Sequence, residues 1–195
     1  MSRVWICLGD KKITHGDYSL IAVQDEDIED IRLWRNSQVS VLRQPFPISR
    51  EQQISYYADK IFPSMQEKEP INILISFYFK GELIGYGGLV HISWEDSRGE
   101  LSFLLNPVFT KDKKLYKEKH MVFLKLVSDL AFKKLGLNKV FTETWATRKD
   151  HIENLERFGF QCEGRLKSHV IINGKLEDAL IHRILSTEYS QRDIS

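Results

Sequence analysis

The sequence predicts an α/β protein in which helices flank a mixed, partly antiparallel central sheet. Two tight-turn signals, Lys80-Gly81 and Asn173-Gly174, each join two segments of strand character into an antiparallel hairpin. One long amphipathic segment, ending at Gly136, separates a predicted strand at Glu100–Leu105 from another at Lys139–Trp145. The resulting order, β-α-α-β-β-β-α-β-α-β-β, is typical of a sheet with both antiparallel and parallel pairs.

The composition is that of one domain with its own core. The chain has 195 residues, of which 42% are hydrophobic, and a formal net charge of +1. We predict an N-terminal strand or hairpin over residues 1–17 and a single domain over residues 18–195. This net charge is too small to predict that the molecule as a whole binds nucleic acid. Cys7 and Cys162 lack metal-ligand and redox spacing, so we expect no metal site and a reducing cytoplasmic location. No segment approaches the length of a membrane span, so we also expect no membrane contact.

The first part of the domain carries one strand and two helices. The strand is predicted at Tyr18–Val23, and Asp25 is the expected N-cap of a helix that ends near Asn36. Ser49 and Gln52 form a capping-box pattern for a second helix. The spacing predicts these inner-face residues: Ile28, Ile31 and Trp34 in the first helix, and Ile54, Tyr57 and Ile61 in the second.

The second part begins with a three-strand meander and contains the longest helix. A lysine-rich loop is predicted at Thr110–Lys119, followed by the helix that ends at Gly136. Thr147 and Asp150 make a capping-box pattern for a short last helix, and Gly159 is its expected stop. The meander strands are predicted at Ile71–Phe79, Glu82–Ile92 and Glu100–Leu105.

Three segments in this order resemble the GNAT superfamily of acyl-CoA-dependent N-acetyltransferases. They are Phe79–Ile92, Leu124–Thr144 and His151–Leu185, and the likeness extends over residues 18–189. It is strongest toward the RimJ/RimL-like branch. The triplet Trp34–Asn36, together with Leu42–Gln44, also resembles acetyltransferases of bacterial surface amino-sugar pathways.

The resemblance implies acetyl-CoA as a co-substrate, bound where a strand feeds the central helix. The family usually has glycines in this loop, but the matching positions here are Tyr116, Glu118 and His120. Arg148 and Leu155 stand where the family frequently has an asparagine and a tyrosine. The cofactor-binding residues that the resemblance implies are Phe103, Leu104, Leu105, Leu115, Tyr116, His120, Arg148, His151 and Asn154, and His151 could instead be a surface cap. The lysines Lys113, Lys114, Lys117 and Lys119 either bind the phosphates of coenzyme A or form a solvated charged face.

Glu100 and His91 are the candidate catalytic residues, because acetyl transfer requires the amine to lose a proton. Glu100 opens the strand that the family uses to hold the thioester; alternatively it is a solvated carboxylate or pairs with Arg98. His91, on the neighbouring strand, is either a second base or a structural histidine. The candidate acceptor-binding residues are Arg35, Arg43, Gln44 and Trp94, and both arginines could instead pair with carboxylates between the helices.

The leading hypothesis is an enzyme that moves acetyl from acetyl-CoA to a primary amine in a ternary complex. The acceptor would be a small molecule, a free or nucleotide-linked amino sugar. A second hypothesis is acetylation of a protein N-terminus, as in RimJ/RimL-like proteins. The third is a GNAT-fold module that binds a ligand or partner without catalysis. We expect a monomer or a homodimer.

Overall fold

The fold, described by a computed structural model, is built on one eight-stranded sheet. The structure describes residues 3–9, 12–44 and 46–191. The strand order is β1-β2-β3-β4-β5-β6-β8-β7. The strands span Ile13–His15, Tyr18–Ala22, Ile73–Phe79, Glu82–Ser93, Arg98–Leu105, Lys139–Trp145, Gln161–Ile172 and Lys175–Leu185, numbered β1 to β8. All neighbouring pairs are antiparallel except β5 with β6, which is parallel.

Helices connect the strands at three places, and one more helix follows the last strand. They are α1 (Ile28–Ser37), α2 (Arg50–Tyr56), α3 (Phe62–Ser64), α4 (Pro107–Thr110), α5 (Lys113–Asp129), α6 (Lys149–Phe158) and α7 (Ser186–Ser190). A π-helical turn at Tyr57–Ile61 joins α2 to α3, and another at Leu130–Lys134 extends α5.

Alternate side chains of the sheet face different helices. Phe77 of β3 and Phe103 of β5 lie against Phe123 of α5, with ring centroids 5.3 and 4.6 Å away. Ser76, next to Phe77, instead donates a hydrogen bond to Asp27 just before α1. The α1–α2 segment and α5 therefore cover opposite faces of the sheet.

The pairing of β5 with β6 is short. It joins Arg98–Glu100 to Lys139–Phe141, although β5 continues to Leu105 and β6 to Trp145. Beyond Glu100 the two strands diverge and leave a gap in the sheet. Because β5 keeps its pairing with β4 as far as Leu105, only its other edge is opened by the gap.

Most of the predicted elements are confirmed. The capping box of Ser49 with Gln52 is present, Gly159 ends α6 in the left-handed conformation, and both predicted hairpins form. Of the predicted N-terminal strand or hairpin over residues 1–17, only β1 is a strand within the residues that the structure describes; it pairs with β2 of the domain, and Ile6–Leu8 forms a 3-10 turn. The proposed bounds of the single domain stay a prediction. The sequence also carries a turn signal at Gly9-Asp10 and a rigid-backbone signal at Pro45, but Asp10 and Pro45 lie outside the described residues.

Several local predictions are wrong. Thr110–Lys119 is not a loop: α5 begins at Lys113, because the side chain of Asp112 accepts hydrogen bonds from the N–H groups of Lys114 and Leu115. Asp25 lies inside a 3-10 turn that Gln24 and Asp27 cap.

The side-chain predictions for α2 and α6 also need correction. Ile54 is exposed, and Gln53 is buried in its place. No side chain caps the first turn of α6, which follows Arg148, so the predicted capping box with Thr147 is absent.

We predict that Gly87→Ala destabilises the fold, because β4 and β5 are too close at this position for a side chain. A Cβ atom at Gly87 would lie 2.1 Å from the backbone oxygen of Ser102. Overpacking of this kind costs about 1–3 kcal/mol, and each kcal/mol lowers Tm by about 2–4 °C in a chain of this size. Thermal unfolding measures the effect. Gly164→Ala, where a Cβ meets nothing within 4 Å, is the control and should leave Tm unchanged.

Candidate active site

A β-bulge brings His91 and Glu100 together at the start of the gap between β5 and β6. Two residues of β4, His91 and Ile92, stand opposite one residue of β5, and His91 has a positive φ of 50°. Such a bulge re-aims a side chain, and a non-glycine residue at positive φ is strained. His91 Nδ1 lies 2.9 Å from Glu100 Oε2. Glu100 is 4% exposed, whereas the His91 side chain is 63% exposed.

Arg43 contacts two carboxylates beside this pair, and its role in binding the acceptor stays a prediction. One of its guanidinium nitrogens contacts Glu100, and the other lies 3.9 Å from Glu143 Oε2. The alternative pairing of Glu100 with Arg98 does not occur, because Arg98 contacts Asp96. Arg43 therefore places a positive charge beside one oxygen of Glu100, and the other oxygen lies within hydrogen-bonding distance of His91 Nδ1.

Arg35 and Gln44 form a different network on α1 and the segment after it. Arg35 Nε donates to Gln44 Oε1 at 2.9 Å, and Arg35 Nη1 donates to the hydroxyl of Tyr86. Gln44 Nε2 donates to Asn36 Oδ1, which also accepts from the backbone N–H of Ile48. The segments Trp34–Asn36 and Leu42–Gln44 are thus joined by hydrogen bonds among neutral side-chain groups and the guanidinium of Arg35.

An aromatic stack occupies the space between β5, α5 and α6. The rings of Phe103 and His120 are 4.7 Å apart, those of His120 and His151 are 4.3 Å apart, and both pairs are nearly parallel. The hydroxyl of Tyr116 lies 2.7 Å from His151 Nδ1. Burial lowers the pKa of His120 to about 3 and holds the pKa of His151 well below its usual range. Both histidines are therefore neutral near pH 7.

Three cavities adjoin these groups and share lining residues. The hairpin cavity, about 840 Å³, lies between the β7–β8 turn and the first turns of α5 and α6. The central cavity, about 360 Å³, contains Glu100 and His91 and shares Arg148 and His151 with the hairpin cavity. The tyrosine cavity, about 560 Å³, is lined by Tyr56, Tyr57 and Tyr86 and shares Arg35 and Ser102 with the central cavity. Two ligands, one in the hairpin cavity and the other in the tyrosine cavity, can therefore meet in the central cavity.

The hairpin cavity is the most basic of the three. Its cationic lining residues are Lys113, Arg148, Lys149 and Lys175. Two carboxylates, Asp150 and Glu177, also line it, and Asp150 lies 3.0 Å from Lys113 Nζ. Sequence reasoning missed Lys149 and Lys175. Lys175 follows the Asn173-Gly174 turn, so its position is apparent only once the hairpin is seen to border this cavity.

The residues predicted to bind the cofactor separate into those near the hairpin cavity and those away from it. Lys119 requires a correction: it is 3% exposed, and its ammonium group lies 4.6 and 4.9 Å from the ring centroids of Phe79 and Phe109. This side chain is not available to a phosphate group. Glu118, which sequence reasoning placed near the phosphates, instead accepts a hydrogen bond from Tyr18.

The other predicted residues have these positions. Lys113, Tyr116, Arg148 and His151 line the hairpin cavity, and Phe103 lines the central cavity. Lys114, Leu115 and Lys117 are exposed on α5; Leu104, Leu105 and Asn154 are buried. Trp94 donates its indole N–H to the backbone oxygen of Pro70, toward the loop before β3.

The backbone of β5 offers hydrogen-bonding groups to the gap. Asn106 N–H donates to Ile84 of β4, whereas Leu105 C=O accepts from the side chain of Gln38 on the other side. Because backbone groups of successive residues in a strand point to opposite edges, Phe103 directs its N–H to the same side as Leu105. That side is the gap, and Phe103 lines the central cavity there.

Residues 20–181 match the sequence profile of the acetyltransferase (GNAT) domain. The chain belongs to the GNAT acetyltransferase family. The match spans most of the chain. It agrees with the observed order of elements, in which β5, the strand at the edge of the gap, is followed along the chain by α4 and the long helix α5. No curated protein matches the sequence significantly. The chain is accordingly an acetyl-CoA-dependent N-acetyltransferase.

Solved structures with the same fold include spermidine N-acetyltransferase from Vibrio cholerae in complex with CoA and spermine. It is 19% identical, with a TM-score of 0.80, and the alignment covers 91% of this GNAT chain and 100% of that one. A dodecameric structure of the same enzyme has 20% identity and a TM-score of 0.77, with 92% and 99% coverage. At this identity the likeness supports the fold alone.

The cavities of this GNAT chain fit acetyl-CoA as a substrate. Four basic side chains surround the hairpin cavity, as a ligand with three phosphate groups requires, and the open edge of β5 offers a backbone N–H beyond it. Within the described residues, no group of three potential ligands could hold a metal ion, and no helix is both long and apolar enough to cross a bilayer.

We predict that coenzyme A binds mainly through charges of the hairpin cavity. Lys149→Ala and Lys175→Ala should each weaken binding roughly two- to fivefold, since a single exposed ion pair contributes about 0.2–1 kcal/mol. Affinity should also fall as salt is added, because exposed charges are screened. Calorimetric titration with coenzyme A at two salt concentrations tests both effects. Lys114→Ala, an exposed lysine outside the cavity, is the control.

Asp112 should oppose the binding of coenzyme A. Its carboxylate occupies the first N–H groups of α5, and it stands between Thr110 and Lys113, which line the hairpin cavity. Asp112→Asn keeps a good N-cap and removes the charge, so affinity for coenzyme A should rise roughly two- to fivefold without loss of Tm. Glu118→Gln removes a carboxylate that faces Tyr18 instead and should change nothing. Weaker binding by Asp112→Asn would show that Asp112 organises the site.

Proposed function

We propose that this enzyme acetylates the primary amine of a small molecule, an amino sugar either free or nucleotide-linked. The observation that carries the proposal is the tyrosine cavity, which opens onto the central cavity beside Glu100 and His91. Its walls combine Tyr56, Tyr57 and Tyr86 with the amides of glutamine side chains. Aromatic rings with a few polar groups are typical of sites for compact ligands, and a sugar ring with its hydroxyls suits such a lining.

In this proposal His91 takes the proton from the acceptor amine. Glu100, ionised beside Arg43, accepts the Nδ1–H of His91 and so leaves Nε2 with a free lone pair. The exposed side of His91 faces the central cavity, where an amine can reach it. Both candidates from the sequence are therefore assigned to one proton-accepting pair, with His91 contacting the amine and Glu100 fixing its tautomer.

The remaining groups hold the acetyl carbonyl and define the donor side. Acetyl-CoA supplies the acetyl group as an activated thioester; as the bond from carbon to the amine nitrogen forms, the carbon–sulfur bond breaks, and coenzyme A leaves as a thiolate that takes a proton from solvent. The N–H of Phe103, directed into the gap, is the proposed donor for the oxygen that becomes negative when the amine attacks. Arg148 and His151 border both the hairpin and central cavities and are proposed to line the path between them.

Other acceptors remain as alternatives with their own supporting features. Acetylation of a protein N-terminus, and with it the RimJ/RimL-like branch, rests on the sequence resemblance. The similar Vibrio cholerae enzyme acts on spermidine, a polyamine, and was solved with spermine. The predicted monomer or homodimer stays a prediction beside the dodecamer formed by that protein. Membership of the GNAT family argues against the non-catalytic alternative.

We predict that His91→Gln and Glu100→Gln each lower kcat by about 10²- to 10⁴-fold. The first removes the proton acceptor, and the second presents an amide N–H to Nδ1 and favours the unproductive tautomer. Thiol release with a panel of primary amines measures kcat, and calorimetry with coenzyme A verifies that donor binding persists.

His169→Gln is the matched control. His169 also contacts a glutamate, with Nε2 3.5 Å from Glu143 Oε1, but it is not among the residues that line the central cavity. The His169→Gln variant should have the same kcat as the wild type. Unchanged kcat in both active-site variants would contradict the assignment of the His91–Glu100 pair.

A further inference from the structure

We propose that the acceptor carries an anionic group, phosphoryl or carboxylate, and that Arg35 binds this group in the tyrosine cavity. The inference rests on the proposed function, because it names the chemistry of the molecule whose amine is acetylated. It also assigns Arg35 and Arg43, two similar residues in the sequence, to different tasks.

Arg35 is held in place but is not neutralised. Its half-buried guanidinium donates from Nε to Gln44 and from Nη1 to Tyr86, and both partners are uncharged. The hydrogen bonds fix the plane of the guanidinium, while Nη2 has no protein partner in the part of the chain that the structure describes. A fixed guanidinium with free N–H groups is preorganised to bind a phosphate or carboxylate.

The carboxylates of the neighbouring central cavity already pair with another arginine and not with Arg35. Within residues 3–9, 12–44 and 46–191, no carboxylate lies within 4.0 Å of Arg35, and no Asp or Glu lines the tyrosine cavity. Glu100 and Glu143, the two carboxylates of the central cavity, both contact Arg43. A partly desolvated cation without a counter-ion is unfavourable, and an anionic ligand would remove that cost.

The charge of the connected cavities also selects against polycations. Three arginines, Arg35, Arg43 and Arg148, and two glutamates line the central cavity, and Arg35 is the one charged residue lining the tyrosine cavity in the described chain. A polyamine with several ammonium groups would meet this positive field as a like charge. An acceptor with one amine and one anionic group can place the amine at His91 and the anion at Arg35.

The test measures binding of defined anions to the acceptor side. The protein is first saturated with coenzyme A, so that phosphate-bearing probes cannot occupy the hairpin cavity. Uridine diphosphate, glucuronate and spermine are then titrated by calorimetry, with thermal unfolding in parallel. We expect uridine diphosphate to bind, and Arg35→Gln to weaken its binding by about 10- to 100-fold, as for loss of a charge-assisted hydrogen bond.

Arg157→Gln is the matched control, because Arg157 also lies on a helix, α6, and pairs with Glu153 away from the residues that line the three cavities. It should bind uridine diphosphate like the wild type. If Arg35→Gln does not fold, Arg35→Lys serves instead; it keeps the charge but loses the planar fork, and should weaken binding less.

The outcomes separate the possible ligands. Binding of glucuronate but not uridine diphosphate, lost in Arg35→Gln, supports the proposal with a carboxylate as the anion. Equal binding by wild type and Arg35→Gln, or binding of spermine alone, overturns it. Thiol release with the amine panel is scored separately. A protein that binds an anion through Arg35 but acetylates no amine would refute the proposed function and not the anion site.

Discussion

The site depends on where the parallel pairing of β5 and β6 stops. Past Glu100 the strands diverge, and the stacked rings of Phe103, His120 and His151 occupy the space between β5 and the helices beside it. The divergence frees one backbone edge of β5 and opens the central cavity. Rings on three separate elements pack together beside the gap, so close-packed core side chains form one of its walls.

Charge balance divides the site into two parts with different chemistry. Around Glu100, the carboxylate, the guanidinium of Arg43 and the ring of His91 satisfy one another and fix the direction in which a proton can move. Around Arg35, only neutral partners are present, so the free energy of that charge depends on what binds. The first arrangement suits catalysis at any acceptor, whereas the second discriminates among acceptors.

The sequence was a good guide to elements with local signals and a poor one to contacts between them. The Ser49 capping box and the Asn173-Gly174 hairpin are specified by neighbouring residues, and both were predictable. The start of α5 was missed because its lysines suggested a solvated loop, although Asp112 is a good N-cap. The contact of His91 with Glu100 depends on a β-bulge, and the bulged residues His91 and Ile92 carry no glycine that would signal it; Gly99 lies opposite them on β5. That Arg35 and Arg43 have different partners can be seen only in the tertiary structure.

The stacked histidines make the protein sensitive to acid. In an unfolded chain a histidine takes up a proton near pH 6.5, whereas burial keeps His120 neutral down to a pKa of about 3. Unfolding therefore binds protons below pH 6.5. The contribution of this neutral side chain to stability is complete above that pH and declines as the pH falls toward 3. His151 has the same sign, so acidification of a cell or a buffer weakens the packing of both histidines between β5 and the helices.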